Sequence, residues 1–300
     1  MFFSLIACLI ILSSFITFVW ILTVKSQTPK KIVVDRTPDV PYENVTFKSG
    51  TNGVKGWFIP SKISGGKSPL IIIIHGWGSN RSRMKRYIKP LYSEGYSLLL
   101  FDVRSHGESE DVKAPTVKIF REDVIAAIQY AKSRNEIDPN RIGILAHSFG
   151  GLGSIIANQE DLGIQAVVAD SIPVQFSTIM KAALKMYKMP YYPLGPMMIN
   201  IMFIRAGISR NELKEYDVPK ALRNRKSAVF LVHSKKDDFV PSTELDYIVR
   251  QVDIPHIYVE SKGHRSSETD PKFWNHVLPF FHNHLHGTGG QVSCPTKMPL

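Results

Sequence analysis

The stretch Arg141-Ile-Gly-Ile-Leu-Ala-His-Ser-Phe-Gly-Gly151 carries an apolar, strand-like run into a serine set among small residues, and a helical pattern follows at once. A nucleophilic serine on a sharp strand-to-helix turn needs neighbours two positions away on each side with almost no side chain. Ala146 and Gly150 occupy those positions, and Gly151 adds clearance. Alanine stands where glycine is more usual, but the steric demand there is only for smallness. Ser148 is therefore the candidate nucleophile.

Short apolar runs alternate with helical patterns on both sides of this stretch. Leu70–Ile74, Tyr96–Phe101, Arg141–Leu145, Gln165–Ala169, Ala228–Val232 and His256–Val259 read as strands. They are nearly continuous rather than alternating, the pattern of strands covered on both faces. Candidate helices lie at Arg81–Glu94, Val117–Lys132, Phe149–Asn158 and Thr243–Val252. Tyr42–Pro60 reads as a β-hairpin, and Ser133–Asn140 as a helix-to-strand loop. Such alternation implies an α/β domain, a mostly parallel sheet with helices on both faces. The connection from Ile172 to Arg225 is longer than the others and carries Phe176, Met180, Leu184, Met186, Met189, Met197 and Met198. It predicts a lid of short helices (about 172–225) over the carboxyl edge of the sheet, where ligands bind in such folds. Core packing is the expected role of most of these methionines, with some lining a pocket.

The chain has 300 residues, 44% of them hydrophobic, enough for one large α/β domain. Its net charge of +11 suits an anionic membrane surface. The basic residues are dispersed, and no zinc-finger, helix-turn-helix or RNP-type motif accompanies them, so no nucleic-acid partner is expected. The two cysteines, Cys8 and Cys294, fall in the first apolar segment and the tail, and neither suggests a staple of the fold. No HExxH, CxxC or carboxylate-rich loop points to a metal, and no cofactor is expected.

From Phe2 to Val24 there is no charged residue. That length matches the ~20 residues that span a bilayer. A cleavable signal would have a basic start, an apolar stretch of about 7–15 residues and a small-residue cleavage site. Residues 1–25 therefore read as an uncleaved transmembrane anchor, followed by a linker over 26–41. Lys25, Lys30, Lys31 and Arg36 follow the anchor, which places the globular part in the cytoplasm by the positive-inside rule. Residues 286–300 are expected to form a disordered tail. The sequons at Asn44 and Asn80 are read as chance.

A serine hydroxyl needs a base to take its proton, and the base needs an orienting carboxylate. After the elbow, the strand Ala228–Val232 leads into His233-Ser-Lys-Lys-Asp-Asp-Phe-Val-Pro241, and the next strand into Glu260-Ser-Lys-Gly-His264. Both lie where a parallel strand ends, on the elbow's edge of the sheet. Together with His75-Gly-Trp-Gly78, Asp102-Val-Arg-Ser-His-Gly-Glu-Ser109 and Ala146-His-Ser-Phe-Gly150, these motifs resemble the α/β-hydrolase-fold serine hydrolases, of the membrane-anchored bacterial type with a short lid. The resemblance covers about residues 42–285. It implies an eight-stranded sheet, with Ser148 as nucleophile, His264 as general base and acid, and Asp237 as the orienting carboxylate. Asp238, one residue on, and Asp170, after its own strand, are the alternatives to Asp237.

The oxyanion hole needs two backbone N–H groups aimed at developing negative charge. Phe149, following the nucleophile, and Trp77, in the loop after Ile74, are expected to supply them. The Trp77 indole has two equally weighted roles, walling the acyl pocket or packing its loop. By the resemblance Asp102, Arg104 and His106 are structural, with Ser105 in place of a common glycine and the backbone there open to change. His75 is expected to brace the oxyanion loop and His147 to pack beneath the elbow. The expected activity is hydrolysis of a small-molecule carboxylic ester or thioester, with a lipid-like acyl group favoured by the anchor, basic surface and lid. A serine peptidase or acyltransferase of the same fold, and a non-catalytic membrane scaffold, are the alternatives.

Overall fold

The computed structural model describes residues 2–63 and 65–286. Eight strands form one sheet: β1 (Glu43–Ser49), β2 (Asn52–Ile59), β3 (Ser68–Ile74), β4 (Ser97–Phe101), β5 (Ile137–His147), β6 (Ala166–Asp170), β7 (Ala228–Lys236) and β8 (His256–Lys262). Their spatial order is β1-β2-β4-β3-β5-β6-β7-β8. The β1–β2 hairpin is antiparallel, β2 is antiparallel to β4, and every later pairing is parallel.

The uninterrupted apolar strands have two buried faces. Leu70, Ile72 and Ile74 join one core with Phe120, Val124, Leu152 and Ile155, whereas Ile71 and Ile73 join the other with Leu91, Phe273 and Phe281. The first layer comes from α3 (Val117–Ser133) and α4 (Phe149–Ala157), and the second from α2 (Ile88–Ser93) and the terminal helix α10 (Pro271–Leu285). In α10 the spacing of Phe273, Val277, Phe281 and Leu285, all buried, repeats every fourth residue, so one stripe faces the sheet. Asp270 caps it by accepting from the Lys272 N–H at 2.9 Å, and Pro271 opens its first turn.

Two local expectations are corrected. Arg81–Glu94 is not one helix: a 3₁₀ segment over Arg81–Tyr87 precedes α2. Pro90 has no N–H for the ladder, and Arg81 is drawn aside because its backbone and guanidinium both bond the buried Asp102 carboxylate. The loop read over Ser133–Asn140 is partly strand. β5 starts at Ile137, opposite Ser68, and a register irregularity follows before Leu70 meets Ile142.

The expected lid is built of α5 (Phe176–Met186), α6 (Leu194–Arg205), α7 (Arg210–Leu213) and α8 (Val218–Arg223). Its entry is tied to α9 (Thr243–Val249), whose buried Glu244 carboxylate accepts from the N–H groups of Val174 (2.6 Å) and Gln175 (2.8 Å) and from the Thr178 hydroxyl (2.7 Å). Helix α1 (Phe2–Ser26) is mostly exposed and is long and apolar enough to cross a bilayer. Its Val19 packs with Met180, Leu184, Leu194 and Met198 of the lid. The segment after it lies along the domain, where the Asn80 side chain donates to the carbonyls of Ile32 (2.8 Å) and Val33 (3.1 Å). Asn80 is thus fully buried, which fits the reading of its sequon as chance. The tail expected over 286–300 lies outside the described residues from 287 on.

Glu244→Ala leaves three donors at the lid's entry without their acceptor, one buried and two partly buried. We expect a loss of about 1–3 kcal/mol in unfolding free energy by denaturant titration, with faster amide exchange over 174–186. Unchanged exchange there would show that this carboxylate does not hold the lid.

Candidate active site

The end of β5 determines the site's shape. Ser148 follows the strand with φ 55° and ψ −123°, a left-handed conformation rarely taken by non-glycine residues, and its N–H is fixed by the Asp170 carbonyl at 2.8 Å. The turn leaves no room for larger neighbours. A Cβ on Gly150 would lie 2.6 Å from the His75 carbonyl oxygen, and one on Gly151 2.5 Å from Ile172 Cγ2. Ala146 fits within the sheet, opposite Ile74 and Ala169, which explains why alanine suffices there.

The carboxyl ends of β7 and β8 bring two further side chains to this turn. The Asp237 carboxylate, inaccessible to solvent, accepts from the N–H groups of Phe239 (2.9 Å) and Val240 (2.8 Å) and from His264 Nδ1 at 2.7 Å. Burial pushes this carboxyl up, but the bond from His264 and the two backbone donors outweigh it and hold it below the usual range. With Nδ1 donating to a carboxylate, His264 Nε2 is left to accept from the Ser148 hydroxyl, 3.0 Å away. Ser148 opens α4 without using its hydroxyl as a helix cap, so that bond is its partner.

The alternative acids lie elsewhere. Asp170 accepts from His147 Nδ1 at 3.0 Å, beneath the elbow, and Asp238 is exposed at the pocket rim. His147 is buried where expected, its ring 4.7 Å from that of His264, and burial presses its pKa down to about 4. Its Nε2 has no hydrogen-bond partner among the described residues.

On the other side, the loop after β3 comes close to the serine. A Cβ on Gly76 would sit 2.8 Å from Ser148 Cβ, so only glycine allows this approach. His75 holds the loop: its Nδ1 donates to the Gly76 carbonyl at 2.8 Å, and its Nε2 accepts from the Val103 N–H at 3.0 Å. Trp77 follows in the same loop. Its ring both lines the pocket and packs against His106 and Phe149, at 5.3 and 5.8 Å, so the two roles considered for it coexist. Phe149 begins α4, where backbone N–H groups have no intrahelical partner and the dipole favours negative charge.

The Asp102 loop is a brace. Asp102 and Arg81 form a buried ion pair, Arg104 pairs with Asp123 of α3, and Ser105 keeps a left-handed φ of 66° while its hydroxyl accepts from the Val112 N–H at 2.9 Å. Glu244 and the α1 residues that border the pocket were not among the sequence's candidates. Neither carries a motif, and only tertiary packing brings Glu244 to the lid's entry and the α1 residues to the pocket.

The pocket is a cavity of about 740 Å³ in contact with Ser148 and His264. Its apolar walls include Phe176, Met180, Met198 and Phe203 from the lid, whereas Met189 and Met197 do not line it and pack against the cluster formed by the lid and Val19. Among the described residues no cluster of side chains suits a metal ion.

The family described as "Serine aminopeptidase, S33" matches residues 66–199, which include Ser148 but not Asp237 or His264. The quorum-quenching protein AidA of Acinetobacter baumannii is 38% identical over 109 residues, 35% of this chain and 36% of that protein. The uncharacterised protein YfhR of Salmonella typhimurium is 30% identical over 152 residues, 46% and 51% of the two chains. The chain thus spans about half or less of these curated relatives. Among solved structures, the Pyrococcus furiosus esterase Pf2001 superposes with a TM-score of 0.69 at 22% identity, covering 87% of this chain and 97% of the esterase.

Three buried histidines bear on stability. Burial presses His75 and His147 from 6.5 to about 4 and His106 to about 3. The unfolded chain therefore binds more protons than the folded one below about pH 6.5. Their contribution is complete above that pH and is lost as the pH falls toward 4. The melting temperature should drop between pH 7.5 and 5, and a flat profile would contradict these buried neutral imidazoles.

The sheet order, the strand-end elbow and the structural match agree, and the chain has the α/β-hydrolase fold.

Proposed function

We propose that the protein is a serine hydrolase that cleaves a carboxylic ester or thioester through an acyl-enzyme. The observation that carries this reading is the bond sequence Asp237–His264–Ser148, 2.7 Å and then 3.0 Å, at a turn whose backbone already takes the conformation a nucleophile requires. Ser148 Oγ attacks the acyl carbon as His264 Nε2 takes its proton. The carbonyl oxygen, now negative, is received by the N–H groups of Trp77 and Phe149, a pair in which one donor is typically worth ~10²–10³ in rate. The C–O or C–S bond breaks as His264 returns the proton to the leaving group. Water, activated by the same imidazole, then releases the acid and restores Ser148. Asp237 holds the ring in the required tautomer and stabilises the imidazolium.

Esters are favoured over peptides by the apolar walls of the cavity, which suit a hydrocarbon acyl group better than a polar backbone. The similarity to the Pf2001 esterase points the same way, although the family description names an aminopeptidase. An acyltransferase would use the same three side chains with another acceptor in place of water. A membrane scaffold would have no need of a hydroxyl held against an imidazole. In the same reading α1 anchors the protein in a membrane with the hydrolase domain (residues 42–285) on the cytoplasmic side, residues 26–41 serving as linker.

A fluorophosphonate probe should label the wild-type protein and leave Ser148→Ala unlabelled. Folded wild-type protein that resists the probe would overturn the catalytic reading in favour of the scaffold. Asp237→Asn should retain the fold and lower kcat on a chromogenic ester by about 10²–10⁴-fold, since it permits the wrong imidazole tautomer. An Asp238→Asn variant that lost as much would show that the carboxylate had been misassigned.

A further inference from the structure

The cavity at Ser148 does not end at the lid. Leu22 and Ser26, on the last turns of α1, and Gln27 just beyond them line it as well. Gln27 is nearly fully buried and fastens this junction, its side-chain amide donating to the Met202 carbonyl of α6 at 3.0 Å and its oxygen accepting from Arg205. A helix whose only task was to tether the domain, or to direct export and be removed, would have no reason to wall the site.

The position of this junction along α1 gives it meaning. At ~1.5 Å per residue, the 25 residues of α1 extend about 37 Å, whereas the hydrocarbon core is ~30 Å thick and takes ~20 residues. With the N-terminal end at the far face, the span is complete near Ile21, and Leu22 to Gln27 emerge at the near interface. Trp20 sits at that level, half exposed, with the Arg205 guanidinium 5.7 Å from its ring, the amphipathic pairing suited to an interfacial belt. In the lid, Met186 at the end of α5, Tyr187 just after it and Ile204 of α6 are 72–74% exposed, and Lys185 and Lys188 flank the first two in sequence. Exposed apolar side chains beside cations, on a lid packed against the last turns of α1, fit the surface of a membrane better than open water.

We propose that α1 and the α5–α6 lid together form an acyl channel that opens on the membrane interface, so that a long-chain acyl ester lipid enters the site from the bilayer. This rests on the acyl-hydrolase reading above and adds its substrate class and route. Each methylene buried in such a channel strengthens binding about fourfold, which makes chain length the natural readout.

The test uses the full chain in phosphatidylcholine vesicles with p-nitrophenyl palmitate and p-nitrophenyl butyrate, which share a leaving group. Wild type should favour palmitate. Diluting palmitate with phosphatidylcholine at constant bulk concentration should slow its hydrolysis; a rate indifferent to surface dilution would place entry from water and overturn the route. Leu22→Trp should lower the palmitate-to-butyrate ratio of kcat/KM at least tenfold, and the smaller change Leu22→Phe should move it the same way. Leu12→Trp, on the exposed part of α1, should leave that ratio unchanged. An unaltered ratio in both Leu22 variants, or an equal loss in Leu12→Trp, would overturn the channel. Butyrate turnover without a preference for palmitate would sink this inference and leave the acyl-hydrolase reading standing. Failure to cleave either ester would sink both.

Discussion

The left-handed backbone at Ser148 is the constraint on which the rest of the site depends. A non-glycine residue at φ 55° persists only where its surroundings over-determine it. Here the Asp170 carbonyl grips its N–H, Gly150 and Gly151 are pressed against the His75 carbonyl and Ile172, and Gly76 closes from the other side. These contacts come from three neighbouring parallel strands, β3, β5 and β6, so the sheet's register is what holds the hydroxyl in place. One residue of slip would turn the serine to the other face.

Around this point the fold buries groups whose charge would be costly, and it deals with them in different ways. Asp237 keeps its charge because two backbone donors and an imidazole surround it. His75 instead stays neutral, its two nitrogens bonded to one backbone acceptor and one backbone donor, and so fixes the Gly76 carbonyl without adding a buried positive charge. Arg81 and Arg104 are paired with Asp102 and Asp123. These pairs add little net stability, because desolvation offsets much of their attraction, but removing one partner would strand the other. They are better understood as fixing the loops that carry Trp77 and the 3₁₀ turn.

Most of the sheet was legible in the sequence because buried parallel strands leave a plain signal. Leu70–Ile74 has no polar residue, and the structure gives it neighbours on both faces. The elbow was legible for the same steric reason that makes it necessary. What was illegible depended on tertiary contacts. The helix read over Arg81–Glu94 fails because a buried aspartate twenty-one residues away claims Arg81. The strand character of Ile137 arises from pairing with Ser68 across an irregular register, in a segment whose Asp-Pro-Asn reads as loop. For the site, the motif order placed Ser148, Asp237 and His264 on one sheet edge, and the coordinates bring those three within hydrogen-bond reach. The roles of Glu244 and Leu22 had no such signal. A glutamate on a short amphipathic helix and a leucine in an apolar run are ordinary until the lid is folded over them.

The most direct measurement of the proposed chemistry is a crystal structure of the protein after reaction with a long-chain alkyl fluorophosphonate, whose fluoride leaves as serine attacks phosphorus. The expected adduct has a P–O bond to Ser148 Oγ, with one phosphonyl oxygen about 2.7–3.1 Å from the N–H groups of both Trp77 and Phe149, and the alkyl chain running between α5 and α6 toward Leu22. An adduct on another residue, or an oxygen turned away from those two donors, would contradict it.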